Sequence, residues 1–139
     1  MSGGLFGSLD VSASGMSAQR TRMDVVAENI ANANTTRDAN GQPYQRKEVV
    51  LQTQGGQSFG DVLDGVRVAA VTNDPSPPRQ VYDPGHPDAN AQGYVTLPNV
   101  NPVTEMVDLI SSSRGYEANV TAMNDAKQMF SKSLDILRS

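Results

Sequence analysis

The sequence predicts a mainly α-helical chain with a small β-rich and irregular insert, the long N- and C-terminal helices pairing as a coiled-coil-like domain around it. Three observations carry this. All eight prolines fall between residues 43 and 102, and proline is costly inside a helix, so the two proline-free flanks are open to long helices. Both flanks repeat apolar residues at alternating steps of three and four. The middle holds β-branched runs punctuated by glycine. The chain therefore divides into residues 1–36 as the N-terminal helix of an inner core domain, 37–102 as a β-rich and extended insert, and 103–139 as the C-terminal helix of the core domain.

In the first flank the steps meet Leu5, Leu9, Ser12, Met16, Gln19, Met23, Val26, Ile30 and Ala33, seven of the nine apolar. The opposite faces carry Ser14, Ser17, Asn29 and Asn32 where a solvated coiled coil normally carries charge. Such a helix is built for contact on more than one side. Gly15 stands inside it and should cost about 1 kcal/mol against alanine. Either that weakness is tolerated, or another helix approaches the backbone closely there, beside the small residues Ser12, Ala13, Ser14 and Ala18.

The helix closes on Asn29-Ile30-Ala31-Asn32-Ala33-Asn34-Thr35-Thr36. Packing propensity does not explain so many amides. They fit a helix end in which asparagine takes the left-handed conformation, and equally a polar seam in which Asn29, Asn32 and Asn34 bond between subunits.

Within the insert, Tyr44–Thr53 and Val66–Thr72 read as strands of a small hairpin or sheet, linked through Gly55, Gly56, Gly60 and Gly65. Residues 73–93 hold five prolines and are expected to be extended or in turns, and Tyr94–Leu97 adds one short strand. The last flank repeats the stripe through Met106, Leu109, Ser113, Tyr116, Val120, Met123, Lys127, Phe130, Leu134 and Leu137, with Gly115 inside it as Gly15 is inside the first.

Leu, Ile, Val and Phe together supply only 29 of the 139 residues, and Trp and Cys are absent. A chain so poor in large apolar side chains buries a modest core by itself against an ordering cost of about 1–2 kcal/mol per residue. Contacts with other chains are the expected source of the remainder. The net charge of −4 argues against nucleic-acid binding through phosphate neutralisation. The apolar runs are far too short to span a bilayer, and the first residues lack a basic, then apolar, secretory pattern.

Catalysis finds little support. The single histidine, His86, lies in Asp83-Pro84-Gly85-His86-Pro87-Asp88, where a metal would need the three side chains to converge with a fourth ligand. A turn held by Asp83 and Asp88 on nearby backbone N–H groups explains the same residues. There is no cysteine nucleophile, no Gly-x-Ser-x-Gly elbow and no phosphate-cradling glycine loop. The carboxylate pairs Asp61 with Asp64 and Glu105 with Asp108 read as solvated faces. No enzyme activity and no cofactor are expected.

Ser12–Thr36, SASGMSAQRTRMDVVAENIANANTT, resembles the N-terminal signature of bacterial flagellar rod and hook proteins, a small-residue helix ending in an Asn-Ile-Ala-Asn-x-Asn-Thr element. Tyr82–Phe130 is similar to proximal rod subunits of the C type rather than to hook or distal rod proteins, whose inserts are larger. The resemblance covers nearly the whole chain, least distinctively at 37–81. It implies a structural subunit of the basal-body rod, exported through the flagellar type III apparatus without a cleaved signal peptide and built into the rod across the periplasm. It also implies terminal helices paired around the export channel, with the insert outside.

On that reading, Leu5, Leu9, Met16, Met23, Val26 and Ile30 form the packing stripe of the first helix. Met106, Leu109, Tyr116, Val120, Met123, Phe130, Leu134 and Leu137 form that of the second. The segment from Asp83 to Gly93, with Pro84, Gly85, His86, Pro87 and Asp88, becomes an extended strap over a neighbour. The partners are further copies of the chain, other rod subunits, adjacent basal-body components and the export apparatus, with no nucleic acid and no membrane insertion. The alternatives are another axial subunit of rod or hook type, or a helical secretion adaptor that never polymerises.

Overall fold

Asn101 and Pro102 start the C-terminal helix. The Asn101 side chain accepts the N–H of Val103 at 3.1 Å, and Pro102 occupies the first helical position, where its missing N–H costs nothing. From there α2 runs over Pro102–Arg138 and faces α1, Gly3–Ala31. At 1.5 Å per residue the helices are about 55 and 43 Å long. The computed structural model describes residues 3–54 and 65–138, with side chains from Gly7 onward. The side chain of Leu5, the glycines 55, 56 and 60, and the pair Asp61 and Asp64 therefore lie outside the described residues.

The helices are antiparallel: Gly15 stands against Asn119, Gly115 against Gln19, and Asn29 near the end of α1 against Glu105 near the start of α2. The bottom of their seam is small or polar. On α1 the buried residues are Ser12, Ala18, Val25, Val26 and Asn29, and on α2 they are Glu105, Ser112 and Ala126. A Cβ on Gly15 would lie 2.8 Å from Asn119 Nδ2, and one on Gly115 would lie 3.1 Å from Gln19 Cδ. Both glycines thus make room for the end of a side chain from the opposite helix, which a larger residue would have to displace, and this decides for close approach over tolerated weakness. Gly15→Leu should cost about 1–3 kcal/mol through overpacking, read as a lower thermal midpoint. An unchanged midpoint would remove this account of the seam.

Between the helices lie two antiparallel ribbons, β1 (Lys47–Thr53) with β2 (Val66–Asn73), and β3 (Arg79–Tyr82) with β4 (Tyr94–Leu97). β1 starts later than its β-branched content suggests because Tyr44 and Arg46 bond elsewhere: Tyr44 N–H to Thr35 O at 3.3 Å and Arg46 N–H to Asn99 Oδ1 at 2.9 Å. A shift of register between Val50 and Leu51 marks a bulge. Gly65 touches α1: a Cβ there would clash with Ser14 Oγ, the hydroxyl that accepts Val66 N–H.

Strand β3 corrects the expectation for residues 73–93. The prolines stop at 78 and resume at 84, leaving four residues able to donate to a ladder, and these pair with β4. The strap is likewise not extended. Asp83 N–H bonds Gly93 O at 2.8 Å and Asn90 N–H bonds Tyr94 O at 2.8 Å, so 83–93 is the folded loop of a hairpin. Gly93 closes it with φ of +81°, a conformation natural to glycine. Tyr82 stacks edge-to-face on Tyr94 beside it.

Candidate functional site

Two features stand out from this framework, a buried polar node that joins the helices to the insert and an apolar face that the chain leaves open. Asn29 is the centre of the node and is fully buried. Its Nδ2 donates to Lys47 O at 2.9 Å and Glu105 Oε2 at 3.0 Å, and its Oδ1 accepts from Tyr44 Oη and from Lys47 N–H, each at 2.9 Å. Those are all the hydrogen bonds an amide makes. Every partner belongs to the same chain, so Asn29 has no group left for a seam between subunits.

The other amides behave differently. Asn32 Nδ2 caps Glu28 O at 2.9 Å, and its Oδ1 accepts the Thr35 hydroxyl at 3.1 Å. Asn34 is exposed. Among the described residues only glycines have positive φ, so the helix ends through these bonds and not through a left-handed asparagine.

Glu105 corrects its reading as a solvated carboxylate, being 0% exposed. Arg46 Nε donates to its Oε1 at 2.5 Å, and the same guanidinium pairs with Glu48 and, at 3.3 Å, with Asp74. Burial pulls the Arg46 pKa down. Hydrogen bonds to Glu105 and Glu48, with the charges of both, outweigh it and hold Arg46 above the ordinary arginine value. Asp74 is held below the usual carboxylate range by the Ser76 hydroxyl and N–H, with Arg46 adding to the effect. Asp108 lies half-buried, 3.8 Å from both Arg22 and Arg46. The spacing of Glu105 and Asp108 was visible in the sequence, but their partner Arg46 comes from 59 residues away, which no local pattern encodes.

Tyr44 closes the node from outside. Burial, then the negative charges of Glu28 and Glu105, push its phenol up to about 12. Since the unfolded phenol titrates near 10, the native contribution is intact below pH ~10 and is lost as pH rises toward 12. The chain should therefore loosen over that window, and Tyr44→Phe should flatten this alkaline limb in melts taken between pH 8 and 11. An identical limb in the variant would contradict the assignment.

The open face lies on α2. Val103, Met106, Val107 and Ile110 form it on one side of the helix, Met106 52% and Ile110 55% exposed, and toward the C-terminal end Met129, Phe130, Leu134 and Leu137 are exposed as well. Leu109 and Ile110 border a shallow groove with Ser113, Arg114 and Glu117. Of the predicted stripes, Val26 is buried. Leu9, Met16, Met23, Ile30, Leu109, Tyr116, Val120 and Met123 are half-buried, on the shoulders of the seam rather than at its base. Hydropathy stepping selects the apolar line, whereas close helix approach selects the small residues beside it.

The hairpin loop holds together by itself. Asp83 Oδ1 accepts Gly85 N–H at 3.2 Å, as the turn reading expects, and His86 Nδ1 accepts Asp88 N–H at 3.0 Å. Asp88 does not bond a nearby backbone N–H. It takes the Thr36 hydroxyl at 2.7 Å and Arg37 at 2.6 Å, pinning the loop to the segment after α1. Thr36 first, then Arg37 and His86, keep its carboxyl below the ordinary range. Among the described residues, no cluster of three or more His, Asp or Glu is placed to hold a metal, and no helix is long and apolar enough to cross a membrane.

Two family models match the two halves of the helix pair. One, described as flagella basal body rod protein, covers residues 9–37, and the other, flagellar basal body rod FlgEFG protein C-terminal, covers 91–136. Both describe one class, the rod-type structural proteins of the flagellar basal body. The flagellar basal-body rod protein FlgC of Bacillus subtilis is 53% identical, over 94% of this chain and 97% of its own length. That of Borreliella burgdorferi is 46% identical over 97% and 99%, and that of Salmonella typhimurium 42% over 91% and 93%. The chain belongs to the FlgC family of flagellar basal-body rod proteins. It is accordingly a structural protein and not an enzyme, located in the basal-body rod and assembled with other rod subunits.

Proposed function

We propose that the chain polymerises by head-to-tail packing of its helices into the tubular shaft that transmits torque and encloses the export channel. The observation that carries this reading is the division of labour on α2. Its inward line, Glu105, Ser112 and Ala126, is buried against α1, while Met106, Val107 and Ile110 on the opposite side stay exposed. Each large apolar side chain taken from water contributes about 1.5–3 kcal/mol, so covering this face with neighbours supplies the stability that the small internal core lacks. Contacts between non-identical patches that do not close a ring generate an open helical tube. The half-buried shoulder residues extend the same surface into coiled-coil packing, and Asn34 adds a polar group at its edge.

In the same reading the subunits travel through the flagellar type III export apparatus and stand in the rod where it crosses the periplasm, beside adjacent basal-body components. Sedimentation at rising concentration, with and without a seed of neighbouring rod subunits, tests the proposal. Templated growth is the expected result. Saturation at a fixed stoichiometry would favour a non-polymerising adaptor and overturn it.

A further inference from the structure

Residues 32–101 lie between the two helices, so no short loop sets the height of α2 along α1 as a tight helical hairpin would. The small residues of the seam leave a second register open: after a slip of seven residues Ser112 would meet Gly15, and Gly115 would meet Ser12. Glu105 would then stand level with Arg22, whose guanidinium already lies 3.8 Å from Asp108. The slipped pair sets small residues on small residues and gains an ion pair, but it takes Asn119 and Gln19 away from the glycines they face in the native register.

We infer that Asn29, Arg46 and Glu105 are positioning residues that fix the register of the helix pair. Asn29 bonds both the N–H and the carbonyl of Lys47, which ties residue 47, and Arg46 before it, to one level of α1. A second tie runs from Arg46 N–H to Asn99 Oδ1, two residues before the cap of α2. Glu105 finds Arg46 Nε and Asn29 Nδ2 together only at that level. A seven-residue slip carries its carboxylate about 10 Å away, leaving a half-buried guanidinium without Glu105 and a buried amide short of an acceptor. Fixing register is the best-attested use of buried polar groups in helix seams. In this chain the register also decides which exposed residues of α1 and α2 stand side by side, and so what surface a neighbour meets.

The native chain has no cysteine, so cysteines replacing the exposed Ala27 and Thr121 take spin labels at two defined sites. Pulsed electron–electron distances should give one narrow population in the otherwise native full chain. In Asn29→Leu/Arg46→Met/Glu105→Leu, helical circular dichroism should persist while a second population appears, lengthened by up to about 10 Å. Restoring Asn29, Arg46 and Glu105 together should remove it. A single native distance in the triple variant overturns the inference, as does a broad distribution in the native background. Loss of helical signal in the triple variant also overturns it, since the node would then hold stability and not register.

Discussion

Glu105→Ala should lower the stability of the folded chain by about 3–5 kcal/mol, the cost of removing one partner from a buried ion pair. The carboxylate is fully buried and accepts from both Arg46 and Asn29. Its loss leaves a cation held by Glu48 and Asp74 with its main counter-charge gone, and an amide with an unused donor. Small domains have a total of about 5–15 kcal/mol to lose, and the buried apolar side chains here are mostly Ala and Val. Thermal unfolding should therefore move down by roughly 10–20 °C. A shift within about 2 °C would mean that the node is not closed in solution. Replacing all three node residues with apolar ones should cost less than this single truncation, because no charge is then left stranded.

Ile110→Asp should do the reverse, sparing the chain and stopping the assembly. Ile110 is 55% exposed, and substitutions at such surface positions usually change stability by no more than about 0.5 kcal/mol. In the rod it would lose an apolar contact of about 1.5–3 kcal/mol and bury an unpaired carboxylate at further cost. At 1.4 kcal/mol per tenfold, seeded growth should fall by about a hundredfold or more, and cells carrying the variant should not swim. Normal growth from seeds would show that this part of α2 faces solvent.

Much of the fold was legible because proline and heptad spacing act locally. The proline-free flanks gave both helices nearly to their ends, Gly15 and Gly115 offered close approach as one of two readings, and the β-branched runs gave β1, β2 and β4. Arg79–Tyr82 was hidden because its prolines lie just outside the strand, where they leave the ladder untouched. The seam was misplaced for a different reason. Stepping through apolar residues finds the line that would be costly to leave in water, and in this chain that line runs half-buried along the shoulder of the seam. The internal line consists of Ser12, Ala18, Ser112 and Ala126, whose virtue is small volume and whose hydropathy is unremarkable.

Glu105 and Asn29 were the hardest to read. A carboxylate on a helix is normally solvated, and only its meeting with Arg46 across 59 residues makes burial tolerable. The one signal was the density of amides around Asn29, which packing propensity does not explain. The modest apolar content follows the same logic: a chain whose internal seam is small and polar keeps its large side chains for its neighbours.

A reconstruction of the intact basal-body rod at side-chain resolution tests this most directly. Met106, Val107 and Ile110 should be buried against neighbouring subunits, with Gly15 facing Asn119 of the same chain in every copy. Those three side chains facing open solvent, while Ser112 and Gly115 pack against a different subunit, would contradict it.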